Sequence, residues 1–288
     1  MAGYCRPDGL AAVLGLLAAA EARPLVLAGG TDAYPARAAA EVWMRAEARP
    51  VLDISGIAAL RGIEDRGDHC RIGALATWSE VREASLPACF DGLRDAARQV
   101  GGRQVQNRGT LVGNLCNASP AADGVPPLLT LDACIELASA RGVRVLPLAA
   151  FLLGNRRTAM ARDEIATALI VPRAAEGARG GFLKLGARAY LVISVVMVAA
   201  VVELRGGRVA AAKVAVGACS AVARRLPELE AALVGRAWEP ELVQAVHLAE
   251  LAPIDDIRGP ATYRAEAALV LLRRLLAGLA APALERAA

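Results

Sequence analysis

Two separated stretches constrain this chain more than any others: Ala28-Gly29-Gly30-Thr31-Asp32, directly after an apolar run, and a small-residue run that begins at Gly109-Thr110 and ends at Asp123. A strand that runs into two glycines can turn tightly enough to aim its N–H groups at an anion, because no Cβ blocks the approach. Taken alone, Gly-Gly-Thr-Asp also fits an ordinary turn. It lacks the G-x-G-x-x-G spacing, with an acidic residue ~20 positions on, of the Rossmann fingerprint. The second run carries Thr110, Asn114, Asn117, Ser119 and Asp123, with little hydrophobic bulk beyond Leu111, Val112 and Leu115. Such a run predicts a loop rather than a strand or helix core, either a functional loop or an Asx-rich surface turn.

At 288 residues the chain is long enough for two domains. Its 56% hydrophobic content raises the question of a membrane span, but the longest apolar run, 189–202, is fenced by Arg188 and Glu203. That is short of the ~20 residues a spanning helix needs, so no membrane span is expected and the run reads as buried core. Segment 10–20 is apolar like a signal peptide's core, yet no charged n-region precedes it. Asp8 followed by Leu10, Val13, Leu14 and Leu17 predicts a capped amphipathic helix instead, and the expected location is cytoplasmic. The 33 Lys and Arg are interspersed with 29 Asp and Glu, and aromatics make up only 3%, so no nucleic-acid surface is expected. The 6 cysteines form no C-x-x-C pair, so no iron–sulfur or zinc site is encoded locally, and Cys116 reads as a space-filler. With His69 and His247 as the only histidines, neither a histidine triad nor a metal site is predicted.

Along the chain, short strands at 24–27 and 50–54 alternate with helices at 10–20 and 41–48, which predicts a small parallel sheet. Strands at 63–64 and 70–74 follow, then a helix opened by the capping box of Thr77 and Glu80, and a helix over 92–100. Segments 128–131 and 134–137 lead into a strand pair that turns at Ala140-Arg141-Gly142. The aperiodic stretch 173–181 is the predicted boundary. Beyond it, strands at 182–187, 189–204 and 209–217, with a tight hairpin at Gly206-Gly207, precede helices at 224–234, 239–251 and 261–279.

Six blocks in order join the two loops: 27–32; Asp53-Ile54-Ser55-Gly56-Ile57 with Leu60-Arg61-Gly62-Ile63; Ile72-Gly73-Ala74 with Thr77; 104–123; Lys184 with Gly186 and Arg188; and 253–259 with Tyr263-Arg264. In these blocks, over nearly its whole length, the sequence resembles the FAD-binding (medium) subunit of the molybdenum hydroxylase family, of the xanthine dehydrogenase and carbon monoxide dehydrogenase type. The resemblance implies an α+β fold. A two-part FAD-binding domain of the vanillyl-alcohol-oxidase/PCMH type would span 1–172, and a C-terminal domain of a three-stranded antiparallel sheet and a three-helix bundle would span 182–288.

The resemblance further implies noncovalent FAD between the two loops. Val26, Leu27, Ala28, Gly29, Gly30, Thr31, Asp32 and Ala33 would form the first, its glycine amides holding the pyrophosphate. Thr110, Gly113 and Asn114 would lie near phosphate and ribityl oxygens, and Asp123 would accept from a flavin-side hydroxyl or N–H. Val100, Ile165 and Ala166 would supply apolar and main-chain contact. Lys184 would lie near the isoalloxazine, where a cation favours the anionic reduced flavin; the alternative for it is a solvent-facing strand position. The implied partners are a [2Fe-2S] small subunit delivering electrons, a molybdenum-cofactor large subunit where substrate is hydroxylated, and an external acceptor, NAD+ or another.

Two departures bear on these expectations. Val112 stands where the family commonly has glycine, and its Cβ restricts how closely the backbone can approach a phosphate. After Arg188, many members have Asp-Ile-Ala beside the flavin's reactive edge, whereas this chain reads Tyr190-Leu191-Val192-Ile193, which weakens the case for NAD+; Tyr190 fits either a place over the ring or core packing. The alternatives are a scaffold subunit of the same fold that no longer binds FAD, and an independent flavin oxidase. Asp255-Asp256-Ile257-Arg258-Gly259 reads as an ion-paired helix start or a subunit contact, not as an acid–base pair.

Overall fold

The computed structural model describes residues 3–43 and 49–281. The strand that delivers the first glycine pair, Leu25–Leu27, lies at the edge of a three-stranded parallel sheet, beside Val51–Asp53 and then Tyr4–Cys5. Parallel neighbours need crossovers, and the helices Leu10–Ala19 and Ala33–Val42 lie in the connecting segments. Val13 and Leu17, one turn apart, bury the inner face of the first. Its N-cap is Gly9, without a side-chain hydrogen bond, so Asp8 does not play the capping part expected of it. The second helix starts well before the expected 41–48. Pro35 sits in its first turn, where a missing N–H costs no helical bond. Residues 44–48 of the expected helix lie outside the described residues.

A second sheet is wholly antiparallel, in the order Ile63–Asp65, His69–Gly73, Ile165–Pro172, Cys134–Ser139, Gly142–Pro147. The helix Trp78–Glu83 opens on the predicted capping box, with the Glu80 amide donating to Thr77 Oγ1 at 3.2 Å and the Thr77 amide donating to Glu80 Oε2 at 2.6 Å. Trp78, Leu93, Leu111, Ile135 and Phe151 belong to one buried cluster that fuses both sheets and their helices. Residues 128–131 do not lead in as extended chain. They fall largely in the helix Val125–Thr130, whose first turn takes Pro126 and Pro127 without loss of a bond.

The third sheet is antiparallel, in the order Arg179–Leu185, Val196–Arg205, Arg208–Gly217, with the short strand Arg224–Arg225 added at its edge. Gly206 (φ +56°) and Gly207 (φ +74°) make the predicted tight hairpin, both in the left-handed region that side chains avoid. Val196–Arg205 is buried on both faces because the helix Val125–Thr130 and the long helix Ala261–Ala280 both pack against it. The apolar run 189–202 is only partly core: Tyr190, Leu191 and Ile193 are exposed in a loop where Leu191 takes φ +52°. The three-helix bundle is also corrected. Pro227–Leu233 and Ala261–Ala280 are helices, but the middle one is replaced by the 3-10 turns Pro240–Leu242 and Ala245–Leu248. No helix among the described residues is long and apolar enough to cross a membrane.

Backbone contact joins the third sheet to the rest. A Cβ on Gly180 would lie 2.1 Å from the Cys89 carbonyl oxygen, and one on Gly92 would lie 2.7 Å from that of Gly181. The motif at 255–259 forms the ion-paired helix start: the Ala261 amide donates to Asp255 Oδ1, while Asp256 pairs with both Arg258 and Arg264.

Two outcomes are expected. Gly180→Ala lowers unfolding stability by about 1–3 kcal/mol in urea titration, because the facing atom is backbone and cannot swing away. The arginines beside Asp256 hold its carboxyl at about 2, below the usual 3.8. A depressed carboxylate contributes stability above its unfolded value and loses it as pH falls. The wild-type urea midpoint therefore drops between pH 3.8 and 2, and Asp256→Asn removes that component.

Candidate functional site

Gly29 fixes the geometry at the strand end. A Cβ there would lie 1.9 Å from the Arg108 carbonyl oxygen and 2.9 Å from the Gly109 Cα, so the two small-residue stretches touch through bare backbone. Gly30 takes φ +79°, turning the chain into the helix Ala33–Val42. The amides of Gly29, Gly30, Thr31 and Asp32 donate to no protein acceptor among the described residues. A run of free amides ahead of a helix N-terminus is a site for an anion.

The second stretch is not the loop its composition suggests. Leu111–Asn117 is a helix, N-capped by Thr110, whose Oγ1 accepts from the Gly113 amide at 3.0 Å. Leu111, Val112 and Leu115 pack into the main core, and Val112, 2% exposed, also borders the cleft. Because the Leu111 and Asn114 amides also donate to carbonyls, of Ala76 and Thr110, this segment offers the cleft mainly side chains. Asn117 links the two stretches: its Nδ2 donates to Asp32 Oδ1 and its Oδ1 accepts from Arg156, each at 3.1 Å.

Between the stretches lies a cleft of about 560 Å³, within the range of small-molecule sites. It brings together Val26, Ala28, Gly29, Gly30, Thr31, Asp32, Ala33, Val100, Thr110, Gly113, Asn114, Ile165 and Ala166. Leu27 is buried behind it, and Asp123 and Lys184 do not line it. Those two form a buried pair, Lys184 Nζ to Asp123 Oδ2 at 2.6 Å, with Ser194 donating to Asp123 Oδ1 at 2.6 Å. Burial pushes the Asp123 carboxyl up, while the Lys184 ammonium and the Ser194 hydroxyl pull it down. The pair connects to the cleft wall through the neighbouring Gly124 amide, which donates to Asn114 Oδ1.

Sequence reasoning missed the basic wall. Arg23, Arg49 and Arg156 line the cleft. Arg23 is held by the carbonyls of Ala161 (2.6 Å), Arg162 (3.1 Å) and Glu164 (3.1 Å), and burial lowers its pKa. Nothing local marks these arginines, because they gain meaning only when segments remote in sequence meet. Burial pushes the Cys116 thiol, also in the wall, up to about 11, so it stays protonated at neutral pH and packs as a small apolar group.

The lining of the cleft thus combines unpaired main-chain amides and the arginines with the apolar side chains of Ile54, Val100, Val105 and Ile165. It defines a module for a cofactor with both anionic and apolar parts. Residues 1–174 match the family described as FAD binding domain in molybdopterin dehydrogenase, and 182–279 match the CO dehydrogenase flavoprotein C-terminal domain. A carbon monoxide dehydrogenase medium chain from Afipia carboxidovorans is 31% identical over 94% of both chains. A nicotinate dehydrogenase FAD-subunit from Eubacterium barkeri is 36% identical over 60% of this chain, and the match spans 58% of that relative's length. Among solved structures, carbon monoxide dehydrogenase from Hydrogenophaga pseudoflava superposes with TM-score 0.86 at 28% identity over 95% of each chain, and quinoline 2-oxidoreductase from Pseudomonas putida 86 with TM-score 0.87 at 25% identity over 96% of each. The chain belongs to the family of FAD binding domains in molybdopterin dehydrogenase, and its cofactor is FAD.

Gly29→Ala must push the two stretches apart. It is expected to cost about 1–3 kcal/mol of stability and to abolish FAD retention on gel filtration, whereas Gly3→Ala, with nothing near its Cβ, leaves both unchanged.

Proposed function

We propose that this chain is the electron-transfer subunit of a molybdenum hydroxylase complex, with a FAD-binding part of the vanillyl-alcohol-oxidase/PCMH type. Electrons would come from [2Fe-2S] clusters of a small partner subunit and leave to an external acceptor, while substrate is hydroxylated at a molybdenum cofactor in a large subunit. The observation that carries this reading is a single cleft that joins the free amides of Gly29 to Asp32 with an apolar wall. The relatives add to it: several are named medium chains or medium subunits, among them one of nicotine 6-hydroxylase from Paenarthrobacter nicotinovorans.

FAD, when bound, supplies the exchange of electrons between one-electron and two-electron carriers. The residues of the chain bind and orient it. The amides of Gly29 to Asp32 would hold the diphosphate, and Arg23 and Arg156 would supply positive charge beside it. Thr110 Oγ1 already accepts from Gly113, so its hydroxyl proton is left to donate into the cleft. Asn114 accepts from Gly124 through Oδ1, which turns its amide NH2 to the same duty. Val100, Ile165 and Ala166 would exclude water from the ring end. The apolar stretch at Tyr190 to Ile193 disfavours a nicotinamide acceptor, since it puts no carboxylate there to orient a dinucleotide.

Purified chain mixed with FAD and desalted is expected to retain flavin absorbance at about one FAD per polypeptide. A colourless protein that takes up none would establish the scaffold alternative. The isolated subunit is expected to oxidise no substrate until its partner subunits are added; turnover by the chain alone would favour an independent oxidase.

A further inference from the structure

The motif at 253–259 with Arg264 remains outside the cleft, yet its side chains reach one point in the molecule. Asp256 holds two arginines. Arg258 pairs with it through Nε and Nη2, and Arg264, fully buried, donates Nη2 to its Oδ1 at 2.6 Å. Each arginine turns its Nη1 to main-chain carbonyls: Arg258 to Ser194 at 3.0 Å, and Arg264 to the adjacent Val195 at 2.7 Å and to Ala218 at 3.1 Å. Ser194 itself is 0% exposed, and its hydroxyl donates to Asp123 Oδ1. The chain of contacts therefore runs from a surface turn, through Ser194, to the buried Asp123–Lys184 pair, and on through Gly124 to Asn114 in the cleft wall.

Packing alone does not require this arrangement. A guanidinium fork that grips one carboxylate and one carbonyl fixes both distance and direction, which a lysine in its place cannot do. Ser194 sits immediately after a loop whose Tyr190, Leu191 and Ile193 are exposed; Arg188 ties the Tyr190 and Leu191 carbonyls, the Val195 amide donates to Leu185, and the Ser194 carbonyl itself is held by Arg258. Because Asp123 has both oxygens engaged, one by Lys184 and one by Ser194, its orientation follows from where Ser194 stands.

We propose that Ser194 is a positioning residue for the cofactor site, and that the Arg258–Asp256–Arg264 bracket holds it in place, so that residues outside the cleft set the orientation of the Asp123 carboxylate. The proposal rests on FAD occupying the cleft. Its elements act through Asp123, and this makes it separable from a general loss of packing.

The test is a double-mutant cycle read as Kd for FAD by flavin fluorescence quenching. Ser194→Ala is expected to weaken binding about five- to tenfold and Arg258→Lys about threefold or more, while Ser194→Thr stays within about twofold of wild type. In an Asp123→Asn background the first two effects shrink below about twofold. Folded Ser194→Ala and Arg258→Lys proteins that bind within twofold of wild type, or effects that persist unchanged in Asp123→Asn, overturn the proposal. If Ser194→Ala does not fold, Arg258→Lys decides alone. The ligand-free protein gives an independent readout: the Asp123 carboxylate 13C resonance moves in Arg258→Lys and not in Arg208→Lys, whose contacts lie at Gly235. A wild-type chain that takes up no FAD defeats the cofactor reading, and the carbon resonance then still decides whether the bracket positions Asp123.

Discussion

The rest of the site depends on the close approach of Gly29 to the backbone of Arg108 and Gly109. No side chain fits at a contact where a Cβ would stand 1.9 Å from a carbonyl oxygen, so the residue type at position 29 follows from geometry alone. That contact brings the edge of a parallel sheet against a segment some eighty residues later. The amides from Gly29 to Asp32, beside that contact, have no protein acceptor among the described residues and belong to the cleft lining. The Asn117 bridge to Asp32 and Arg156 then fixes the separation of the two walls.

Electrostatics and packing divide the work along the cleft. Arg23, Arg49 and Arg156 bring positive charge to a lining that also holds the unpaired amides, and Asp32 among the lining residues is already engaged by Asn117. The antiparallel sheet contributes Ile165 and Ala166 to the apolar part of the lining. Behind the wall, Asp123 and Lys184 neutralise one another out of water, an arrangement that is costly unless each charge keeps its partner. Ser194 and the arginine bracket meet that condition by restricting where the carboxylate can sit. The third sheet is thus more than an appendage: its first strand supplies Lys184, and the loop into its second strand supplies Ser194, to a network that reaches Asp123 in the first part of the chain.

Much of this was legible in the sequence, and the failures have physical causes. Strands before and after the first glycine pair, the Thr77 capping box and the Gly206-Gly207 hairpin all rest on local chemistry, and the structure has each of them. The helix Leu111–Asn117 was hidden because its inward residues, Leu111, Val112 and Leu115, are set among small polar ones and its N-cap lacks a Glu or Gln three residues on. The helix expected over 239–251 breaks into short turns around Pro240, with Val243 buried between them. The run at 189–202 misled by composition, since hydropathy cannot distinguish a strand buried on both faces from an exposed loop leading into it. Arg23 and Arg156 were invisible for a different reason: their role exists only in three dimensions. The pairing of Asp123 with Lys184, which the resemblance places near the cofactor, likewise exists only in three dimensions.

The central claim is that the amides from Gly29 to Asp32 receive the cofactor's diphosphate. Amide hydrogen exchange of the chain with and without FAD tests it most directly. The account predicts that these amides, unpaired in the protein itself, exchange rapidly without FAD and become strongly protected with it, together with the Asn114 side-chain amide. FAD that binds stoichiometrically while these amides continue to exchange as before would contradict it.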